Sequence, residues 1–210
     1  MDMHEMSETV KDNKSGIEEA LKTLERGGTV VFPTETLYGL GAISTSAEAV
    51  KKIYLIKKRP ADKLLPVIVG SMEQARKYFI LNGNNLKLAK KFWPGPLSLI
   101  LKTKSKKLAA VLGKDILAVR FSANPLATKL AELSGAPIIS TSANISGKSG
   151  CFTIAAVKRQ FTGPDKPDLF IDAGGLKNSL PSTIVQAEEN KVVIIREGKI
   201  SLERIIEALK

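Results

Sequence analysis

Short apolar strand patterns alternate with amphipathic helix patterns along this 210-residue chain, which restricts the folds open to it. Single strands are predicted for the segments TVVF, LLPVIVG, LSLILK, ILAVRF, APIIS and DLFIDAG. The segment STIVQAEENKVVIIREG predicts a hairpin that turns near Asn190. Short links and a hairpin favour a mixed sheet over a purely parallel one. We therefore expect an α/β fold, a twisted mixed β-sheet with flanking helices in a single domain.

Helices are predicted between these strands wherever apolar residues recur at helical spacing. Ile17, Ala20, Leu21 and Leu24 share one face of the first helix. The second helix is expected to begin at a capping box of Thr45 and Glu48. Later helices are predicted in SMEQARKYF, NNLKLAKKFW, residues 125–133, TIAAVKRQF and SLERIIEALK, whereas KTKSKK reads as an exposed loop.

The ends of the chain and its cysteine content give the expected organisation and location. Residues 1–15 are acidic and polar, so we expect a flexible N-terminal arm followed by one domain over 16–210. No apolar run approaches the roughly 18 residues of a membrane span. Cys151 is the only cysteine, which excludes an internal disulfide and favours a reducing cytoplasm.

Histidine is nearly absent, which removes several classes of catalytic site. His4 is the only one, and it lies in the expected arm. Zinc sites built on His and Cys, Cys–His pairs and Ser–His–Asp triads are excluded as explanations of function. Any chemistry must therefore rely on positioning and charge stabilisation by Lys, Arg, hydroxyl, amide and backbone groups.

The formal net charge of +11 is unevenly spread along the chain. Between Lys51 and Lys114 there are sixteen Lys and Arg residues, against only Asp62 and Glu73. A field of this sign attracts nucleotide phosphates or RNA, although most such lysines serve only as a solvated surface. RNA contact stays an open alternative, and the chain lacks the clustered aromatics of a base-stacking platform.

Polar residues gather where predicted strands end. Thr34 and Thr36 follow the first strand in VVFPTETLYGLGA, Arg120 ends ILAVR, and the run STSANISG follows PII. Ser182 and Thr183 open the predicted hairpin, whose second strand ends at Arg196. Ligands of open α/β sheets bind beyond strand ends, so four such clusters beside a basic segment favour ligand binding over plain turns.

The segment KKRPADK is the sharpest basic cluster. It places Lys57 and Arg59 at the end of a helix, ahead of Pro60, and Lys63 four residues after Arg59. Capping of the helix C-terminus explains one lysine but not all three cations. A planar guanidinium fork with two compact ammonium groups is suited to a triphosphate.

Six motifs in order give the chain a resemblance to the YrdC/TsaC family in its short, single-domain form. They are FPTETLYGLGA, KKRPADK, FWPGPLSLIL, LAVRF, STSANISGKSG and PSTIV followed by IIREG, and together they run from about Gly16 to Ser201. The family's fold implies a large, positively charged cavity. Its activity is that of a nucleotidyltransferase, L-threonylcarbamoyladenylate synthase: L-threonine, bicarbonate or CO2, and ATP give threonylcarbamoyl-AMP and pyrophosphate. The product serves the N6-threonylcarbamoyl modification of adenosine 37 in tRNA.

The resemblance also implies roles for individual residues. Threonine would be bound by Thr34, Thr36, Tyr38, Arg120, Ser140 and Ser182. ATP would be bound by Lys57, Arg59, Lys63, Ile116, Ser142, Asn144, Ser149 and Arg196, with Lys57 and Arg59 also acting in catalysis. Mg²⁺ would arrive with ATP rather than on protein ligands.

The chain differs from the usual family pattern at several positions. The chain has Leu64 and Leu65 where members often continue KPL, Ser98 for a threonine, and Ile68 or a neighbour where some carry a histidine.

The family implies delivery of the adenylate to a downstream threonylcarbamoyl transferase complex. The alternatives are a double-stranded RNA-binding module and an inactive paralogue with the same fold. Carbamoyl activation in hydrogenase maturation is disfavoured, because it belongs to much longer chains.

Overall fold

The computed structural model of the chain describes residues 7–188 and 191–210. In chain order, its elements are β1 (Glu8–Lys11), α1 (Lys14–Glu25), β2 (Val30–Pro33), β3 (Tyr38–Gly41), α2 (Ala47–Lys57), β4 (Val67–Val69), α3 (Met72–Tyr78), α4 (Gly83–Phe92), β5 (Leu97–Lys102), α5 (Lys106–Leu112), β6 (Ile116–Phe121), α6 (Pro125–Leu133), β7 (Ile138–Ile139), β8 (Thr141–Ser142), α7 (Ile154–Gln160), β9 (Leu169–Asp172), β10 (Thr183–Ala187), β11 (Val192–Arg196) and α8 (Leu202–Glu207). Every strand and helix that the sequence predicts is present. The hairpin of β10 and β11 is confirmed, while its turn near Asn190 lies outside the described residues.

The strands form two mixed sheets. The five-stranded sheet has the order β1-β9-β2-β3-β8, and the six-stranded sheet has the order β11-β10-β5-β6-β4-β7. Each contains both parallel and antiparallel pairs, so the predicted mixed α/β architecture is confirmed. The expected single sheet is divided because the chain pairs with β4 through β7 and then, after Ser140, with β3 through β8. Ser140 therefore stands where the chain crosses from one sheet to the other.

Helices α1 and α6 pack together against the five-stranded sheet. Their buried faces include Ala20, Leu24, Leu126 and Leu130, which join Phe32 of β2 in one apolar cluster. Full burial of a leucine or phenylalanine side chain contributes about 1.5–3 kcal/mol. This cluster holds β2 in place, and with β2 the residues that follow it.

The N-terminal segment is ordered over part of the range expected to be a flexible arm. Strand β1 pairs in parallel with β9, matching Glu8 to Leu169, and α1 begins at Lys14. Edge pairing supplies the backbone hydrogen bonds of this polar segment, which side-chain patterning does not reveal. Strand β1 and the start of α1 thus lie within the range for which the sequence predicts a flexible arm, and residues 1–6, including His4, lie outside the described part of the chain.

Helix starts differ from the sequence prediction at two places. The N-cap of α2 is Ser46, whose hydroxyl accepts from the Ala49 amide at 3.3 Å, so the predicted capping box of Thr45 and Glu48 is wrong. The KTKSKK segment contains the start of α5, capped by Ser105, and is not only a loop. Helix α5 was not predicted because its apolar stretch is short. Among the described residues, no helix combines the length and apolarity that crossing a membrane requires.

Candidate active site

The six-stranded sheet places five residues from five strands side by side. Arg120 on β6 is paired with Ile68 on β4 and Ser98 on β5. Ser98 is paired in turn with Ile184 on β10, which is paired with Arg196 on β11. Side chains at paired positions point to the same face of a sheet. This register row forms the floor of a cavity.

The turn between β2 and β3 stands over this floor and is built around the Thr34 hydroxyl. Its Oγ1 donates to the Leu37 carbonyl at 2.6 Å and accepts from the amides of Thr36 and Leu37, each at 3.2 Å. The hydroxyls of Thr34 and Thr36 lie 3.0 Å apart. Two small hydroxyl side chains are thereby held at the end of a buried hairpin.

Gly41 on β3 allows this hairpin to pack closely. A Cβ atom at Gly41 would lie 2.5 Å from both the Ile139 carbonyl oxygen and a ring carbon of Phe32. Gly39, which lines the cavity, has more room: the nearest atoms to a Cβ would be 3.4 Å away. The two glycines therefore differ, and only Gly41 is required by close backbone approach.

The cavity has a volume of about 270 Å³. Eight residues of the sequence prediction line it: Thr34, Thr36, Arg59, Arg120, Ser140, Ser142, Ser182 and Arg196. They come from the hairpin turn, the end of α2, the crossing between the sheets and the register row. The fold thus brings together hydroxyl groups and three arginines that are up to 162 positions apart in the chain.

Arg120 is buried beneath the hairpin turn and paired with a carboxylate. Its Nη1 donates to Glu35 Oε1 at 3.0 Å and lies 3.4 Å from Thr36 Oγ1. The hydroxyl of Ser122 donates to the other Glu35 oxygen, Oε2. Burial lowers the pKa of Arg120, and the negative charge of Glu35 opposes that shift. The guanidinium stays charged because arginine's ordinary pKa is so high.

Arg196 is anchored at the opposite end of the row. Its Nη2 donates to the carbonyl of Ser182 at 2.8 Å and to that residue's hydroxyl at 3.0 Å. The Ser182 hydroxyl also lies 3.1 Å from the Ser98 hydroxyl. Burial lowers the pKa of Arg196, and the positive charge of Arg120 lowers it further, so the two arginines repel each other.

Lys57 does not line the cavity, although the sequence places it in the triphosphate site. Its side chain is 1% exposed, and Nζ donates to the carbonyls of Ser142 and Asn144. Burial and then the charge of Arg59 lower the pKa of Lys57 to about 7. In this structure the lysine joins the end of α2 to the loop after β8.

Arg59 and Lys63 belong to one loop but lie in different surroundings. Arg59 lines the cavity and donates from Nη2 to the Leu64 carbonyl at 2.7 Å and from Nε to the Lys63 carbonyl at 3.3 Å. The Lys63 side chain is exposed and is not part of the cavity wall. Lys63 thus contributes its carbonyl to the loop, whose path after this residue is held by Arg59.

Four further predicted residues lie away from the wall. Tyr38 is fully buried, and its hydroxyl donates to the Gly174 carbonyl at 2.9 Å, so the expected wall contact is replaced by a structural one. Ile116 begins β6 beside Lys102, at the far end of the strand from Arg120. Ser149 is exposed.

Asn144, the fourth of these, is buried in the loop after β8. Its Nδ2 donates to the carbonyls of Ile145 and Lys148, at 2.8 and 2.7 Å. Its Oδ1 is buried and has no hydrogen-bond partner. An orphaned acceptor this deep is costly, so a donor delivered to this loop would stabilise it.

Glu35 and Ser122 are not among the site residues that the sequence predicts, and Ser98 is expected only as a hydroxyl in place of a threonine. Ser98 is the one polar residue within an otherwise apolar strand core, LSLIL, and this break in the pattern was a usable signal. Glu35 and Ser122 meet only across the fold, 87 positions apart. The described residues contain no group of three or more His, Cys, Asp or Glu side chains placed to hold a metal ion.

Comparison with known proteins gives a consistent match. The sequence model of the Sua5/YciO/YrdC family, which carries the description "Telomere recombination", matches residues 22–198. A Pyrococcus abyssi protein named threonylcarbamoyl-AMP synthase is 41% identical over 185 residues, which cover 87% of this chain and 54% of that protein. One from Psychromonas ingrahamii with the same name is 36% identical, over 85% of this chain and 95% of its own length.

Solved structures agree with these relatives. The crystal structure of P. abyssi Sua5 complexed with L-threonine has a TM-score of 0.86 at 38% identity, covering 96% of this chain and 59% of that one. Escherichia coli YciO, at 24% identity, matches with a TM-score of 0.80 and 97% of its chain covered, which shows the shared fold. The chain therefore spans little more than half of some relatives and nearly the full length of others.

Proposed function

Because the chain belongs to the Sua5/YciO/YrdC family, we propose that it is a threonylcarbamoyl-AMP synthase that joins L-threonine, bicarbonate or CO2, and ATP. The observation that carries the proposal is the cavity wall. It combines four hydroxyl residues, Thr34, Thr36, Ser140 and Ser182, with Arg120, and it includes Arg59 and Arg196 as well. Such a wall offers one part suited to a small polar amino acid and another suited to phosphates.

Arg120 would bind the carboxylate of threonine. A guanidinium can hold a carboxylate through two parallel N–H donors, and this contact is strongest where water is excluded. Arg120 is 8% exposed, at the floor of the cavity. The hydroxyls of Thr34, Thr36 and Ser140 would then surround the amine and side chain of the amino acid.

Arg59 and Arg196 would bind the phosphates of ATP, with Ser142 at the edge of the same space. The threonine amine would attack CO2 and release a proton to solvent to give the carbamate. A carbamate oxygen would then attack the α-phosphorus, and the bond to pyrophosphate would break with its electrons leaving on pyrophosphate. Carboxylate, carbamate and triphosphate are all anionic, so cations on the wall must offset their repulsion. Mg²⁺ entering with ATP would neutralise charge on the leaving group.

Lys57 would act on the nucleotide indirectly or after a local rearrangement. Its ammonium already donates to the Ser142 and Asn144 carbonyls. It therefore shapes the loop that carries two of the residues expected at the ATP site. The remaining expected contacts, from Lys63, Ile116 and Ser149, would require ATP to extend beyond the described cavity.

The wider role would be production of the adenylate for tRNA modification. A threonylcarbamoyl-AMP intermediate would pass to a downstream transferase complex, in a cytoplasmic setting that the single cysteine favours. Direct RNA contact remains a separate proposal that rests on the net charge of +11.

The direct test is pyrophosphate release from ATP and Mg²⁺ with bicarbonate, in the presence and absence of L-threonine. We expect release that requires both threonine and bicarbonate, with L-serine as the control amino acid. ATP binding without release would favour an inactive paralogue. Salt-sensitive binding of double-stranded RNA without ATP binding would favour the RNA module.

A further inference from the structure

Glu35 contacts the buried side of the proposed threonine site without lining the cavity. Its Oε1 accepts from Arg120 Nη1 at 3.0 Å, and the two side chains are 14% and 9% exposed. Arg120 belongs to the cavity wall, whereas Glu35 borders a neighbouring cleft together with Lys177 and Lys199. Glu35 therefore contacts the cavity wall through its ion pair with Arg120.

Glu35 is itself held by a chain of contacts that ends at a helix. Ser122 is fully buried and donates its hydroxyl hydrogen to Glu35 Oε2. The Ser122 oxygen accepts from the Asn124 amide at 3.2 Å, so its single hydrogen is free to serve the carboxylate. Asn124 is the N-cap of α6, and its Oδ1 accepts from the amides of Leu126 and Ala127. The position of Arg120 is thereby fixed relative to helix α6, through Glu35, Ser122 and Asn124.

Charge along the register row gives Glu35 a second effect. Arg120 and Arg196 lie close enough for the charge of one to lower the pKa of the other. Glu35 offsets one of these two charges. The cavity wall carries the charges of Arg59, Arg120 and Arg196, and the Glu35 carboxylate reduces their sum from +3 to +2. The reduction falls at Arg120, where a single substrate carboxylate would bind, and without it the site would favour multiply charged anions.

We propose that Glu35 is a positioning residue for the amino-acid site: it occupies Nη1 of Arg120 so that the remaining guanidinium donors face the substrate, and it sets the charge there to suit one carboxylate. The inference rests on the proposed function. It assigns the discrimination between threonine and small polyvalent anions to a residue that does not touch either of them.

The test compares Glu35→Gln with Ser122→Ala in the full chain, using threonine-dependent pyrophosphate release. Glutamine keeps the shape and an acceptor for Arg120 but removes the charge. The Ser122→Ala variant keeps the charge but removes its anchor. Inorganic phosphate serves as the competing anion, and Glu73→Gln on exposed α3 is the matched control.

For Glu35→Gln we expect the KM for threonine to rise about tenfold, as when a charge-assisted hydrogen bond to Arg120 is replaced by a weaker neutral one, with kcat and the KM for ATP within about twofold. Threonine carries both an ammonium and a carboxylate, so removal of the Glu35 charge affects its two ends in opposite directions. Phosphate carries only negative charge, so removal of the Glu35 charge can only favour its binding. Its inhibition constant against threonine should therefore fall about three- to tenfold.

For Ser122→Ala we expect a similar or smaller rise in the KM for threonine and no change in inhibition by phosphate. A merely structural role for Glu35 would instead weaken threonine, ATP and phosphate together, with a lower melting temperature. That outcome, or wild-type threonine KM and phosphate inhibition in Glu35→Gln, would overturn the inference. Absence of threonine-dependent release in the wild type would overturn the proposed function first, and the inference with it.

Discussion

Lys57 Nζ donates a hydrogen bond of 2.7 Å to the carbonyl oxygen of Asn144 and so joins the end of α2 to the loop after β8. The Ser142 carbonyl also accepts from Nζ. This contact links the KKRPADK and STSANISG segments, which are separate motifs in the sequence. Burial, reinforced by the charge of Arg59, brings the pKa of Lys57 down to about 7, while Cys151 opposes the shift.

The first prediction concerns stability and pH. The folded-state pKa of Lys57, about 7, lies below its ordinary value of 10.5. Between these values the unfolded chain binds more protons than the folded one, so the free energy of unfolding should rise with pH in this window. The Lys57 contribution should reach at most about 1.4 kcal/mol per pH unit.

Urea unfolding of wild type and Lys57→Met between pH 7 and 8.5 would measure this contribution as the change in their difference. Lys51→Met provides the control, because Lys51 is exposed on the same helix. A wild-type advantage over Lys57→Met that stayed constant across this range would contradict the lowered pKa.

The second prediction tests the phosphate part of the cavity. Arg59→Ala removes a cation from the wall together with its hydrogen bonds to the Lys63 and Leu64 carbonyls. We expect pyrophosphate release to fall about 10²- to 10³-fold, as when a single stabilising donor is removed from an active site. Circular dichroism should show an intact fold, because Arg59 is partly exposed in a surface loop. Near-normal turnover in this variant, with Arg76→Ala as control, would remove Arg59 from the mechanism.

The third prediction tests the amino-acid part. Arg120→Lys keeps the positive charge but loses the planar fork, so it cannot pair with Glu35 and hold a carboxylate in the same way. We expect the KM for threonine to rise by about two orders of magnitude and ATP affinity to change little. Calorimetric titration with each ligand would separate the two effects. Equal losses for threonine and ATP would indicate a general distortion instead, and Arg76→Lys is the matched control.

The fourth prediction distinguishes the two glycines of β3. Gly41→Ala would bring a methyl group to 2.5 Å from the Ile139 carbonyl and from the Phe32 ring. We expect it to lower the free energy of unfolding by about 1–3 kcal/mol, the range of overpacked cores. Gly39→Ala should have a smaller effect, because its nearest neighbours are 3.4 Å away. Chemical denaturation of both variants would show which one loses more free energy of unfolding. Equal losses would refute the prediction.

Most of the secondary structure can be predicted from the sequence because the elements carry strong local signals. Helix α6 begins and ends at the predicted residues, since Asn124 caps it and Pro125 occupies its first turn. The strands β1, β3 and β8 were missed. Strand β3 (YGLG) is rich in glycine, and β8 contains only two residues. Their pairing partners hold them in place, and single-chain propensity gives no sign of that.

The residue types available for function can be read directly from the amino-acid sequence. It has almost no histidine, many lysines and arginines, and small hydroxyl residues at the ends of strands. From these features a site that works through positioning and charge could be predicted, and eight of its expected residues do line one cavity. Such features are local or compositional, so they can be seen before folding.

How those residues are combined depends on the folded chain. Strand register places Arg120, Ser98 and Arg196 in one row, and a shift of one residue would turn each side chain to the opposite face. The same folding buries Lys57 against carbonyl groups and brings Glu35 to Arg120, across 85 positions of sequence. Burial and pairing are properties of distance in space, which residue order alone does not specify.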